Sequence, residues 1–125
     1  MRKLKYFTLG LMLLVLSNLA RAQLVIEITS GADQLLPLAV VPFAYEGRDA
    51  LPADVAQIIE NDLKRSGLFE AIPRTNMLSL PSKKEDVHFR DWRLLKSDYV
   101  VIGDIKQLDT ENFEINFELI NVLSQ

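Results

Sequence analysis

The sequence has 125 residues, a formal net charge of −3 and no cysteine. This length suits one domain with one core, and the missing cysteine excludes disulfides, thiolate chemistry and the acylation that anchors bacterial lipoproteins. Acidic residues outnumber basic residues by 17 to 14 without any basic stripe. We therefore expect neither nucleic acid nor an anionic membrane surface as a partner.

The first 22 residues have the pattern of a secretory signal peptide. An apolar run over residues 7–20 follows a positively charged start, whose cations are Arg2, Lys3 and Lys5. Ala20-Arg21-Ala22 then supplies the small residues that a signal peptidase reads. We predict cleavage between Ala22 and Gln23. The 10 basic and 17 acidic residues that remain would give the exported chain a charge near −7. The alternative, an uncleaved membrane anchor, needs roughly 20 apolar residues.

Two strands are predicted before the first helix. Residues 23–30 alternate between apolar and other side chains, which is typical of a strand, and Gly31 and Asp33 then favour a turn. Residues 37–43 form a nearly continuous apolar run, which predicts a strand buried on both faces. Pro42 has no N–H to donate, so this strand ends there or is exposed on that side. We predict a loop over residues 44–51.

An amphipathic helix is predicted next. Pro52 suits the first helical position and Asp54 the first turn, although Leu51 offers no capping oxygen. Gly67 favours a left-handed stop after the last turn. One apolar stripe is expected to face the core, and it consists of Val55, Ile58, Ile59 and Leu63.

The second half of the sequence alternates strands with irregular segments. Residues 68–74 predict a short strand, residues 75–88 are mostly irregular, and residues 89–97 predict a short helix. Residues 99–105 are apolar enough for a central strand. Apolar residues alternate with polar ones over residues 113–119, which predicts a half-buried strand whose inward side chains are Phe113, Ile115, Phe117 and Leu119.

This order predicts an α/β (α+β) fold, a small mixed β-sheet with two helices packed on it. No helix follows the last strand to cover it, so we expect the sheet to be truncated before its end.

Little in the sequence resembles catalytic machinery. His88 is the single histidine, no serine lies in a G-x-S-x-G elbow, and no phosphate-binding glycine motif occurs. With one histidine and no cysteine, metal ligands would have to be carboxylates, and these show no metal-binding spacing. We predict a binding protein without enzymatic activity, cofactor, metal or small-molecule substrate. An exported hydrolase that uses His88 is the least favoured alternative.

Three sequence features are similar to a known family. They are the strand that ends in Val41-Pro42-Phe43, the run from Asp54 to Leu63, and Ser66-Gly67-x-Phe69. Together with the later strands and the N-terminal signal, they resemble the amino-terminal domain of TolB, the periplasmic component of the Tol-Pal system. The resemblance covers residues 23–125.

The resemblance implies a periplasmic linker between inner-membrane TolA and the outer-membrane lipoprotein Pal. That system serves outer-membrane invagination during cell division and envelope integrity. In the family, the first dozen residues of the exported protein bind TolA. Here these residues are Gln23, Leu24, Val25, Ile26, Glu27, Ile28, Thr29, Ser30, Gly31, Ala32, Asp33 and Gln34.

The sequence departs from the family in one large respect. Family members continue into a six-bladed β-propeller, which supplies most contacts to Pal, and no such repeat occurs here. The resemblance therefore implies weak Pal binding by this chain and an incomplete TolB-like domain. The remaining alternative is another envelope assembly or secretion accessory protein that uses the same strand–helix unit.

Overall fold

The computed structural model describes residues 34–124. The predicted signal peptide, the cleavage site at Ala22 and Gln23, and the predicted strand over residues 23–30 lie outside the described residues. Of the predicted TolA-binding segment, only Gln34 is described.

Five strands and two α-helices form the described part of the chain. The strands are β1 (Leu36–Val40), β2 (Ala44–Glu46), β3 (Phe69–Ala71), β4 (Tyr99–Gln107) and β5 (Phe113–Asn121). The helices are α1 (Val55–Arg65) and α2 (Phe89–Leu94), with two 3₁₀ turns between them at Arg74–Asn76 and Lys84–Asp86. No helix within residues 34–124 has the length and apolar content that a membrane crossing requires.

All five strands belong to one mixed sheet in which β4 is central. On one side, β4 pairs in parallel with β1 and, further along, with β2. On the other side it pairs antiparallel with β5 along its full length. β1 also pairs in parallel with β3, which forms the far edge. The predicted fold class, a small mixed sheet with two helices packed on it, is confirmed.

β1 is buried on both faces, as its apolar sequence predicts. Leu38, Ala39 and Val40 are almost inaccessible to solvent. The strand ends at Val40, two residues before Pro42, and the Val41 N–H still donates to the Val101 carbonyl at 2.9 Å. Pro42 therefore comes after the last hydrogen bond of this strand, and its missing N–H removes no bond from the sheet.

The loop predicted over residues 44–51 is wrong at its start, because Ala44–Glu46 forms strand β2 beside β4. Three residues give too short a pattern to recognise, and the strand depends on the β4 backbone that pairs with it. Phe43 lies across β4 at Gly103, where a Cβ atom would overlap the Phe43 ring and the Asn116 carbonyl.

Helix α1 begins later than predicted. Asp54 is its N-cap, with extended backbone, and its side chain accepts a hydrogen bond from the Gln57 N–H at 2.9 Å. The prediction that Pro52 begins the helix is wrong, because a capping carboxylate two residues later fixes the start. The stop is confirmed, since Gly67 has a φ of +75° immediately after the Ser66 cap.

The apolar stripe of α1 is only partly as predicted. Ala56 is buried, and Ile59 and Leu63 pack against the same core cluster. Ile58, however, is 50% exposed, and its predicted place in the core is wrong. Because the helix starts at Val55, Ala56 faces β1 and β4. Ile58 then lies at the side of the helix, half in solvent.

The opposite face of the sheet is covered by α2 and the segment before it. The short helix predicted over residues 89–97 is confirmed, although it ends at Leu94. Trp92 is fully buried against the sheet side chains Ala39, Val100 and Ile102. Ile120 and Val122 complete this cluster from the end of the chain. The indole therefore links α2 to three strands.

β5 is a strand, as predicted. Three of its apolar side chains, however, are exposed and not buried as predicted. Ile115, Phe117 and Leu119 are 43%, 70% and 57% exposed. They pair with Ile105, Gly103 and Val101 and so lie on the α1 side of the sheet. Helix α1 lies over the β1–β3 side of this face and does not reach them. We call Ile115, Phe117 and Leu119 the β5 stripe.

Candidate functional site

The described end of the predicted binding segment lies at the protein surface. Gln34 is exposed and lies two residues before the start of β1 at Leu36. The first backbone bond that holds β1 in the sheet is the donation of the Leu36 N–H to the Leu68 carbonyl at 2.8 Å. Of the described residues, Gln34 and Leu35 lie before the start of this ladder.

A polar network closes the loop that follows β2. The Gln107 Oε1 accepts from the backbone N–H groups of Arg48 and Asp49 at 2.8 and 3.2 Å. Its Nε2 donates to the Asp49 carboxylate at 2.8 Å, and the Tyr45 hydroxyl donates to the Asp49 carbonyl at 2.6 Å. These groups satisfy one another, so the network holds the loop against β4.

The hairpin between β4 and β5 is closed by Asp109. Hydrogen bonds from the Asn112 side chain, and then from the Glu111 N–H, lower the pKa of the Asp109 carboxyl. The interaction is local and fully exposed, which is typical of a turn that carries Asp at its start. It fixes the register of the hairpin.

The most elaborate ion pair joins the start of α1 to the first 3₁₀ turn. The Arg74 guanidinium donates to both carboxylate oxygens of Asp54, at 2.7 and 3.2 Å. The hydrogen bond from Arg74 is the main reason that the pKa of Asp54 lies below its ordinary value, and the Gln57 N–H lowers it further. Asp54 thus caps the helix and positions Arg74 with one side chain.

Replacing Asp54 by Ala is expected to lower the free energy of unfolding by about 1 kcal/mol at neutral pH, because the helix loses its N-cap. Folding lowers the pKa of this carboxyl from 3.8. Its contribution is therefore present above that value and is lost as the pH falls through the folded-state pKa. Urea unfolding at pH 7 and near pH 3 measures both effects.

Asp62→Ala is the matched control, since Asp62 lies on the same helix and pairs only with exposed Arg65 at 3.2 Å. It is expected to change stability by less than about 0.5 kcal/mol. Equal losses in the two variants would contradict the capping role of Asp54.

His88 is the residue that the sequence offers for catalysis. His88 is exposed, directly precedes α2, and makes no side-chain hydrogen bond to the helix N-terminus. Within residues 34–124, no group of three or more histidine or acidic side chains is placed to hold a metal ion.

The β5 stripe is the surface that the sequence did not predict. Its alternation is the same whether the apolar side is buried or open, because periodicity shows only that the two faces differ. No signal within β5 itself distinguishes the two cases. Among residues 34–124, helix α1 packs on other strands and leaves the stripe exposed.

These features define a class of protein: a small mixed α/β domain with a parallel β1–β4 core and an exposed apolar stripe on an edge strand. The family model of the TolB amino-terminal domain matches residues 24–125. The chain therefore belongs to the TolB amino-terminal domain family, and the predicted resemblance is confirmed.

Relatives agree with this assignment. The Tol-Pal system protein TolB of Marinomonas sp. (strain MWYL1) is 72% identical over 112 residues, which are 90% of this chain and 26% of that protein. The Tol-Pal system protein TolB of Hahella chejuensis (strain KCTC 2396) is 46% identical over 126 residues, covering 100% of this chain and 29% of that protein. The chain thus spans little more than a quarter of the length of these relatives.

A solved structure also matches. The crystal structure of TolB from Acinetobacter baumannii aligns with a TM-score of 0.59 and 30% sequence identity. The alignment covers 74% of this chain and 21% of that one. Similarity in sequence and in fold therefore leads to the same family.

Proposed function

We propose that this protein is a non-enzymatic periplasmic component of the Tol-Pal system, exported by cleavage between Ala22 and Gln23. The observation that carries the proposal is the family match over residues 24–125, together with relatives named Tol-Pal system protein TolB. Family membership favours this proposal over the alternative, another envelope assembly or secretion accessory protein that uses the same strand–helix unit. The proposed role is in outer-membrane invagination during cell division and in envelope integrity.

The proposed contact with TolA is made by residues 23–34. The chemistry that supports it is the alternation of this segment, which suits addition of a strand to the edge of a partner's sheet. Its position supports it as well, because Gln34 is exposed and the β1 ladder starts only at Leu36. A partner can therefore bind these residues without opening either core cluster.

The proposed contact with Pal is weak in this chain. The resemblance assigns most Pal contacts to the propeller of the longer family members. We therefore expect residues 23–125 to bind TolA measurably and Pal poorly.

Deleting residues 23–34 is expected to abolish TolA binding while residues 35–124 keep their fold. The measurement is a titration of the whole protein and of the deletion variant with the C-terminal domain of TolA, followed by backbone NMR and calorimetry. The expected shifts in the whole protein are confined to residues 23–34, because the rest of the domain makes no proposed contact.

A pair of variants of the segment serves as the control. Leu24, Ile26 and Ile28 lie on one side of the predicted strand, and Val25, Glu27 and Thr29 on the other. Ile26→Asp is expected to weaken binding far more than Glu27→Gln, because a strand added to a sheet buries its apolar side. Undiminished affinity in the deletion variant would refute the assignment, as would a folded whole protein that does not bind TolA.

A further inference from the structure

Export with cleavage after Ala22 leaves Gln23 as the first residue of the protein. The family model of the TolB amino-terminal domain matches from residue 24 onward, which supports a boundary at this point. A glutamine in the first position holds a free α-amino group and a primary amide in one residue. Its nitrogen and its side-chain carbonyl carbon can close an unstrained five-membered ring, so Gln23 has a reaction open to it that it lacks inside the chain.

We propose that Gln23 is a modification site, which is converted to pyroglutamate after export. The inference rests on the proposed function through the cleavage between Ala22 and Gln23. The α-amino nitrogen attacks the side-chain carbonyl carbon Cδ and forms an N–Cδ bond. The bond between Cδ and Nε2 breaks, one proton passes from the α-amino group to the departing nitrogen, and ammonia leaves. The step consumes no oxidant, reductant or second substrate.

Two properties of an N-terminal glutamine favour this reaction at neutral pH. An α-amino group gives up its proton more readily than a lysine side chain, so part of the population is a neutral, nucleophilic amine. The nucleophile and the amide also belong to the same residue, and an intramolecular reaction avoids the entropy cost of bringing two molecules together. The chain therefore supplies both reactants, and the lactam accumulates with time.

Cyclisation removes the positive charge from the predicted TolA-binding segment. Residues 23–34 contain no lysine, arginine or histidine, and their ionised side chains are the carboxylates of Glu27 and Asp33. One α-ammonium against two carboxylates gives the segment a charge of −1, and the neutral lactam leaves −2. A strand that joins the edge of a partner's sheet brings its end close to apolar surface, where an unpaired ammonium is costly. The lactam instead presents one N–H donor and one carbonyl acceptor.

The lactam also protects the segment from trimming. An aminopeptidase recognises a free α-amino group, and stepwise removal from this end would take the alternating residues 23–30 first. The trimming would reach them before β1, whose first ladder bond joins the Leu36 N–H to the Leu68 carbonyl at 2.8 Å. The described core clusters consist of residues from Leu38 onward, so trimming would remove partner binding and leave the fold.

Intact-protein mass spectrometry of the whole protein, exported by its own signal peptide and purified from the periplasm, tests the modification. After prolonged incubation at neutral pH, the expected mass is that of residues 23–125 less one ammonia. Stepwise N-terminal sequencing should be blocked until a pyroglutamyl peptidase removes residue 23. Gln23→Asn is the matched control, because its shorter side chain could cyclise only through a strained four-membered ring. This variant should keep its full mass and a readable N-terminus.

A purified aminopeptidase is then added to both proteins, followed by titration with the C-terminal domain of TolA. The parent protein should keep its length and its binding, whereas Gln23→Asn should be shortened and lose binding. A persistent free amine on a chain that begins at Gln23 overturns the proposal and leaves the proposed function intact. A chain that begins elsewhere refutes the cleavage site and the modification together. Equal behaviour of the two proteins toward the aminopeptidase overturns the protective role. Absent binding by the untreated parent protein would refute the TolA contact, on which the mass measurement does not depend.

Discussion

Ile59→Asp is expected to destabilise the domain severely, whereas Ile58→Asp is expected to leave it folded. The two residues are adjacent and identical in chemistry, but only Ile59 packs against the core cluster of Leu38, Val40 and Val101. A carboxylate at position 59 would replace apolar contacts by a charge with poor access to water, at a cost of about 3 kcal/mol or more. That is a large share of the 5–15 kcal/mol that stabilises a typical domain.

The pair of variants tests the register of α1 without further controls. Urea unfolding followed by circular dichroism gives the free energy of unfolding of each variant against the parent protein. Ile58→Asp should shift it by less than about 1 kcal/mol, because half of that side chain is already in water. Similar losses in the two variants, or a larger loss at Ile58, would show that α1 is rotated about its axis.

Trp92→Ala is expected to lower the free energy of unfolding by about 3–5 kcal/mol, the range for removing a buried aromatic side chain. Trp92 is the largest fully buried side chain among the described residues, and it joins α2 to β1 and β4. Its loss would leave a cavity that the sheet cannot collapse to fill. α2, with only six residues, would then have little to hold it.

Trp92→Phe separates the contribution of ring packing to stability from that of the buried indole N–H. The Trp92 Nε1 atom is buried without a hydrogen-bond partner among residues 34–124. Phenylalanine removes this N–H and keeps most of the ring contact, so a smaller loss than in Trp92→Ala is expected. Leu94→Ala is the control on the same helix, since Leu94 is 66% exposed and should change stability by less than about 0.5 kcal/mol. Equal losses at positions 92 and 94 would contradict the observed packing of α2.

The elements that sequence patterns predicted correctly are those whose signals are local. Gly67 ends α1 because only glycine readily adopts the positive φ found there, and this requirement is visible in the sequence. The apolar run of β4 predicts a central strand because consecutive side chains point to opposite faces of a sheet, and both faces must be covered to bury them all.

The start of α1 was missed although its capping signal, Asp54 with the Gln57 N–H, is local. The other errors have a common physical cause, which is dependence on distant parts of the chain. β2 exists because β4 offers it a backbone to pair with, some sixty residues later in the sequence. The exposure of Ile58 follows from the start of α1, which Asp54 fixes together with Arg74 from another segment. The β5 stripe is open because α1 covers other strands, and no property of residues 113–119 could indicate that.

The assignment of residues 23–34 as a binding segment depends on the family resemblance and not on a local sequence signal. An alternating pattern over residues 23–30 is equally compatible with an ordinary first strand and with a strand that a partner recruits. Its assignment to TolA comes from the resemblance to the family. The structure adds only the exposure of Gln34 and the point at which the β1 ladder begins.

The pairing of β1 with β4 determines when this chain can begin to fold. Leu38 lies beside Tyr99, and the core cluster around Trp92 is completed only by Ile120 and Val122. Parallel strands so far apart in sequence close a long loop before they gain any contact, which slows folding. An N-terminal piece that stops before β4 has no core to form. A nascent chain therefore lacks this core until β4 and the residues up to Val122 have been synthesised.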